Sequence, residues 1–231
     1  MIELVAFDAD DTLWHNELLY NQTQAKLAGL LADYAPAETV VQRLFDTEMQ
    51  NLEYYGYGIK SFTLSMIETA IALSGGKISG AQIQQIIDLA KDMLKADIQL
   101  LPHVPDTIEL LAASYRLMVI TKGDLLDQES KLARSGLRSY FEAVEIVSEK
   151  HEETYAGLLR RYNIAPERFL MVGNSLRSDI LPVIAIGGVA VHIPHHLTWQ
   201  HELIANSAVD RNGFYELEHL GQLPELLAEL S

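Results

Sequence analysis

The apolar positions along the chain change rhythm twice. ELVAF (3–7) is a short apolar run that ends in acid. Apolar residues then recur at three- and four-residue spacing, as in Ile83, Ile86, Ile87, Ala90 and Leu94, which predicts amphipathic helices. Four such stretches are expected, at roughly 17–33, 37–54, 61–74 and 80–98, the last starting at Ser79 or Gly80. After Pro102 and Pro105 the rhythm becomes alternating. Helix 106–114 precedes RLMVIT (116–121), helix 125–135 precedes AVEIV (143–147), helix 151–162 precedes RFLMVG (168–173), and helix 177–186 precedes VAVHI (189–193). Buried-type strands separated by helices of about ten residues predict a parallel sheet covered on both faces. The fold class is therefore α/β. A Rossmann-like core is expected over 1–15 and 100–231, with an all-helical insertion over 16–99.

In open parallel sheets ligands bind at the carboxyl ends of the strands. The residues that follow each apolar run are of a consistent kind. Asp8, Asp10, Asp11 and Thr12 follow the first, and Thr121, Lys122, Gly123 and Asp124 follow the second. SEKHEE, with Lys150, follows the third. Gly173, Asn174, Ser175 and then Asp179 follow the fourth. Three acids in four positions at 8–11 gain nothing as packing, so this set asks for chemistry.

Composition narrows the choice. With 48% apolar and 21% charged residues the chain has the makeup of a soluble globular protein of one large or two small domains. No apolar run approaches the roughly 20 residues that span a bilayer, and MIELVAFDAD has no secretory features. Cysteine is absent, so a reducing, cytoplasmic setting is expected. The formal net charge of −15 disfavours nucleic acid and anionic membranes as partners. An anion bound against that background needs a local cation and a lysine. The expected partner is a small phosphorylated substrate, on a monomer or homodimer.

Such a set suits phosphoryl transfer through an aspartyl intermediate. A carboxylate serves as the nucleophile. An oxygen-ligated divalent cation, Mg²⁺ by the nature of the donors, offsets the repulsion between carboxylate and phosphate. A hydroxyl and an ammonium hold the remaining phosphoryl oxygens.

Asp8-Ala9-Asp10-Asp11-Thr12 after a strand resembles the first signature, D-x-D-x-T, of the haloacid dehalogenase-like hydrolase superfamily. VIT (119–121) resembles its second, Lys150 its third, and G-N-S-x-x-x-D (173–179) its fourth. The helical block between the first two is similar in place to the family's inserted cap. The resemblance implies roles residue by residue. Asp8 is the nucleophile and a metal ligand. Asp10 is the general acid/base, and its backbone carbonyl helps bind Mg²⁺. Thr121 and Lys150 hold the phosphoryl group, and Asp179 completes the metal site beside Asn174. Phosphatase activity on a small phosphorylated metabolite is the implied function. A haloacid dehalogenase, a phosphomutase and a non-catalytic binding protein of the same fold are the alternatives. Asp10 favours phosphoryl chemistry, because a dehalogenase has no use for that acid.

Two positions depart from the pattern. Asn174 stands where the fourth signature often has Asp, which removes one negative charge. His151 follows Lys150 where Pro is common, and Tyr155 lies five residues on rather than six, so Lys122 is a rival for the phosphate. Lys122 and Gly123 are accordingly counted with the substrate-binding residues. In NLEYYGYGIK (51–60), Tyr55 and Tyr57 are candidates for substrate contact and otherwise pack on the helices. Ser175 is expected to cap the helix at 177. His192, His195, His196 and His201 have metal-like spacing, but without a complementary Cys or Glu set they are read as loop and packing residues.

Overall fold

The computed structural model describes residues 1–197, 199–202 and 213–230. The chain divides into two compact units. The first holds Met1–Glu17, Ile98–Lys122 and Glu129–Ser231; the second holds Leu18–Asp97 and Gly123–Gln128.

The first unit is built on a six-stranded sheet, ordered β3-β2-β1-β4-β5-β6. Its strands are β1 (Leu4–Phe7), β2 (Arg116–Lys122), β3 (Ala143–Val147), β4 (Phe169–Gly173), β5 (Val189–His192) and β6 (Tyr215–Glu216). All pairings are parallel; Leu4 is in register with Arg116 on one side and Phe169 on the other. Successive side chains on a strand face opposite ways, which divides the core in two. Val5, Phe7, Val119, Leu170 and Val172 pack with Ile108 and Leu111 of α5 (Val104–Ala112) and with Leu223 and Leu227 of α9 (Leu223–Glu229). Leu4, Ala6, Met118, Ile120 and Met171 pack with Tyr155, Leu158 and Leu159 of α7 (Glu152–Tyr162). The near-continuous apolar character of the strands is thus the signature of a sheet buried on both faces.

One predicted helix is interrupted. In place of a continuous 177–186, a wide π turn runs over Leu176–Ile180 and α8 over Leu181–Ala185. Pro182 is the reason: it has no amide hydrogen and sits in the first turn of α8, where none is needed. The tail after 193 was assigned no element from sequence, yet it contains β6 and α9. β6 is two residues long, too short for a period to show.

The second unit is helical: α1 (Glu17–Leu30, whose first residue ends the first segment of the first unit), α2 (Ala37–Tyr55), α3 (Ile59–Leu73) and α4 (Gly80–Lys95). Leu27, Leu31, Val40, Leu44, Phe62, Met66, Ile86 and Ala90 form its core. Each fully buried aliphatic of this kind contributes about 1.5–3 kcal/mol. Ser79 and Gln82 form a reciprocal capping box at the start of α4. Gly56 (φ 66°) ends α2 and Gly58 (φ 107°) precedes α3; both are left-handed positions that favour glycine. A side chain at Gly58 would lie 3.0 Å from the backbone nitrogen of Asp124, whose carboxylate pairs with Lys60 at 3.0 Å. Among the described residues, no helix is long and apolar enough to cross a membrane.

Candidate active site

Asp8 leaves the end of β1 with its amide bonded to the Val172 carbonyl at 2.9 Å, so the central strand itself fixes its position. The next residues turn tightly: Leu13 N bonds Ala9 O at 2.8 Å and Asp11 N bonds Trp14 O at 2.7 Å. Thr12 Oγ1 lies 3.1 Å from Asp8 Oδ2 and 3.2 Å from Asn174 Oδ1, drawing the carboxylate and the amide oxygen together across the ends of β1 and β4.

Lys150, past the end of β3, is buried between two carboxylates. Its ammonium donates to Asp8 Oδ1 and, at 2.7 Å, to Asp179 Oδ1. The other Asp179 oxygen accepts the Ser175 amide at 3.0 Å. Gly173 makes room for this. A Cβ there would fall 2.2 Å from Asp179 Oδ2 and 2.5 Å from Asp179 Cβ, so only glycine admits the carboxylate against the backbone.

Burial raises the Asp8 carboxyl to about 7; Lys150 pulls against that rise and the Asp179 charge adds to it. Burial alone would lower Lys150, but Asp179 and Asp8 outweigh it and hold the ammonium above lysine's ordinary value. Two carboxylates against one ammonium leave the cluster short of positive charge.

Asp10 has partners of its own. Trp14 Nε1 donates to Oδ1 at 2.7 Å, and Lys131 donates to Oδ1 at 2.7 Å and to Oδ2 at 3.0 Å. Lys131 lies in α6 (Leu125–Arg134), a helix turned inside out: Leu125 and Leu126 are exposed while Asp127, Gln128 and Lys131 are buried. That inverted pattern was the available signal for Lys131, a polar stripe at helical spacing where an apolar one is expected.

Thr121 is buried at the end of β2 and bonds the Lys122 carbonyl at 3.3 Å. Lys122 lies in a different cluster from Lys150. Its ammonium pairs with Glu202 at 2.6 Å and bonds Ser178 Oγ at 3.0 Å. Glu202 also accepts from the hydroxyls of Ser175 and Ser178. Burial would raise Glu202, but Lys122 and these hydroxyls hold it down to about 2. Glu202 was invisible by spacing, since it follows β5 in a stretch without periodic signal. Ser175 Oγ meanwhile accepts the Ser178 amide at 3.0 Å, capping the π turn. His192 bonds Glu216 through Nδ1 and the Asn174 carbonyl through Nε2, so it braces the Asn174 turn.

The site residues named from sequence in the sheet unit fall into three groups. Asp8, Lys150, Asp179 and Asn174 are linked by hydrogen bonds, with Asp10 two residues on; Thr121 ends the neighbouring strand; Lys122 is turned to Glu202. Gly123, with φ 132°, belongs to the helical unit, where a Cβ would meet the Gln128 side chain at 3.1 Å. Tyr55 closes α2 and is 53% exposed, while Tyr57 lies between the two turn glycines, half-buried.

A family model described as haloacid dehalogenase-like hydrolase matches residues 2–187. A glyceraldehyde 3-phosphate phosphatase of Methanothermobacter thermautotrophicus is 25% identical over 241 residues, covering 98% of this chain and all of the relative. The 5-amino-6-(5-phospho-D-ribitylamino)uracil phosphatase YigB of Escherichia coli is 25% identical, covering 91% of this chain and 93% of the relative. A crystal structure of a haloacid dehalogenase-like family hydrolase from Xanthomonas campestris superposes with a TM-score of 0.88 at 38% identity, covering 99% of this chain and 91% of that one.

Proposed function

The chain belongs to the haloacid dehalogenase-like hydrolases, and on that premise we propose that it is a Mg²⁺-dependent phosphatase of a small phosphorylated metabolite. The observation that carries this reading is the Asp8–Lys150–Asp179 cluster beyond the ends of β1, β3 and β4, with Asp10 beside it. The phosphatase names of the two curated relatives support it.

In the proposed reaction an Asp8 oxygen attacks phosphorus and the ester O–P bond breaks. Asp10 gives its proton to the departing alkoxide. Water then attacks the aspartyl phosphate, Asp10 takes the water's proton, and Asp8 is regenerated. Trp14 and the shorter Lys131 bond both fall on Asp10 Oδ1, so Oδ2 is the oxygen that turns to the leaving group. Lys150 holds Asp8 in line and, with Thr121, binds phosphoryl oxygens as charge develops.

The donors fit Mg²⁺: they are oxygens, Thr12 draws Asp8 and Asn174 together, Lys150 joins Asp8 to Asp179, and that single ammonium faces two carboxyl groups. Asp8, Asp179 and the Asp10 carbonyl, beside Asn174, would hold it. Bound there, the ion supplies the charge neutralisation that lets phosphate approach Asp8. Residues 16–99 are assigned the role of a substrate-selecting cap, and the exposure of Tyr54 (75%) and Tyr55 (53%) is in keeping with it.

Hydrolysis of a panel of phosphorylated metabolites, with Mg²⁺ and with chelator, tests the proposal. Asp8→Asn should lower turnover at least about a thousandfold on every substrate while the fold is kept. Near-parental rates in that variant, or undiminished activity in chelator, would refute it. Asn174→Asp, which restores a charge beside Asp8, should lower the Mg²⁺ concentration needed for half-maximal activity.

A further inference from the structure

The chain carries a second group of metal-ligating side chains that the phosphatase reaction does not use. Asp11, His15 and His195 each offer a ligand atom, and these atoms lie within 4.8 Å of one another. The first two come from the turn after β1 and the third from the segment after β5. An ion with bonds of about 2.1 Å in tetrahedral coordination needs its ligands about 3.4 Å apart, so a shift of about 1 Å closes the set.

Each side chain is pre-set. Asp11 is buried in the left-handed region (φ 59°), and its carboxylate accepts the amides of Asn16 at 2.9 Å and Glu17 at 2.9 Å. That caps the start of α1, yet a carboxylate has about four lone-pair positions and these amides do not exhaust them. His195 Nδ1 lies 2.7 Å from the Leu197 carbonyl and 3.6 Å from Asp11 Oδ1. A carbonyl only accepts, so Nδ1 is the donor there, and in the neutral ring the lone pair sits on Nε2. A backbone carbonyl that fixes the tautomer in this way is the usual second support of a metal-binding imidazole. The His195 ring is also 5.8 Å from that of His15, which is half-buried and open to an entering ion.

We propose that Asp11, His15 and His195 form a binding site for a divalent transition ion such as Zn²⁺ or Co²⁺, separate from the Mg²⁺ site. The donor chemistry separates the two. Imidazole nitrogen prefers borderline ions, whereas Mg²⁺ keeps to oxygen and water. Two imidazoles and one carboxylate leave the remaining coordination positions to water. The bound ion ties the connection between β1 and α1 to the segment after β5 and so stabilises the fold by mass action.

Untagged protein titrated with Co²⁺ in millimolar Mg²⁺ provides the test, read by visible absorption of the bound Co²⁺ and by the melting temperature. One equivalent should bind, with an absorption band and a rise in melting temperature. His15→Ala and His195→Ala should each weaken binding at least about tenfold. Asp8→Asn and His201→Ala should bind as the parent does, which separates this site from the phosphatase centre. His15→Gln, at a half-exposed position, replaces His15→Ala if the latter does not fold. Absence of Co²⁺ binding in the parent, or parental binding in both histidine variants, overturns the proposal.

Discussion

The sheet unit and the helical unit bury their acids in opposite ways. In the sheet unit the acids of the candidate site meet lysines, while the buried Asp11 beside them meets backbone amides. Asp8 and Asp179 share Lys150, Asp10 meets Lys131, and Glu202 meets Lys122. In the helical unit, Glu48 of α2 is largely enclosed, and its Oε2 meets no donor among the described residues. Burial alone raises it to about 8. The buried polar side chains of this unit, Thr47, Asn51, Ser65 and Thr69, bond one another, nearby backbone or, from Asn51, the Glu68 carboxylate. A lysine fixes its acid in place and opposes the rise that burial imposes, as Lys150 does for Asp8. A buried acid without one, as Glu48 is, is held neutral, and the fold bears its ionisation as pH rises.

The strongest way to break that contrast is to remove the lysine that answers two acids. Lys150→Met leaves Asp8 and Asp179 buried without their cation and should cost about 3–5 kcal/mol in urea unfolding at pH 7. Adding Asp8→Asn to it should recover part of the loss; a double variant no more stable than the single would show that the pair is not the cause.

Gly173→Ala tests whether geometry matters as much as charge. The new methyl must push Asp179 aside, so stability should fall by about 2–3 kcal/mol. A displacement of about 1 Å should lower kcat roughly a hundredfold. Unchanged stability and rate would mean that Asp179 has room to spare.

Glu48→Gln turns the helical unit's acid into a permanent neutral. The folded carboxyl titrates near 8 and the unfolded one near 4.5, so the folded state binds the extra proton between them. Wild-type stability is therefore whole below about pH 4.5 and declines as pH rises toward 8, by up to about 1.4 kcal/mol per pH unit. The variant should be level with wild type below about pH 4 and more stable by on the order of 4–5 kcal/mol above pH 8. A difference that does not grow with pH would refute the assignment.

Lys60→Ala should have the smallest effect. Its pair with Asp124 is 58% exposed on the lysine side, and such pairs contribute below about 1 kcal/mol. A larger loss would mean that this contact orders the turn at Gly58.

The alternation of strand and helix and the four strand ends were legible because both depend on local periods: two for a strand, about 3.6 for a helix. Asp8, Lys150, Asn174 and Asp179 stood out because polar residues after apolar runs violate the packing pattern. Lys131 did not, because its helix exposes Leu125 and Leu126 and buries Asp127, Gln128 and Lys131 beside Leu132, and periodicity alone reports a stripe without saying which side faces the core. Glu202 and the partners of His195 were hidden for another reason. His195 was weighed against its neighbours His192, His196 and His201, but the residues beside it, Asp11 and His15, are about 180 positions earlier. Tertiary proximity over such a span leaves no trace in spacing. The π turn at 176–180 followed from a single proline whose effect on the helix register is visible only once Asp179 has a place to point.

The position of β1 has a consequence for how the chain is made. Its four residues, Leu4–Phe7, lie at the centre of the sheet, between partners that begin at Arg116 and Phe169. On the ribosome this segment is translated early, yet its second neighbour is complete only after Gly173. At about 5–20 residues per second, that is a wait of roughly 8–35 s. Helices α1 to α4 are synthesised within that interval and have their own core, whereas LVAF has no partner until β2 is made and only one until β4 follows. Until β4 is made, the strand that leads to Asp8 is the stretch of the nascent chain most in need of a chaperone.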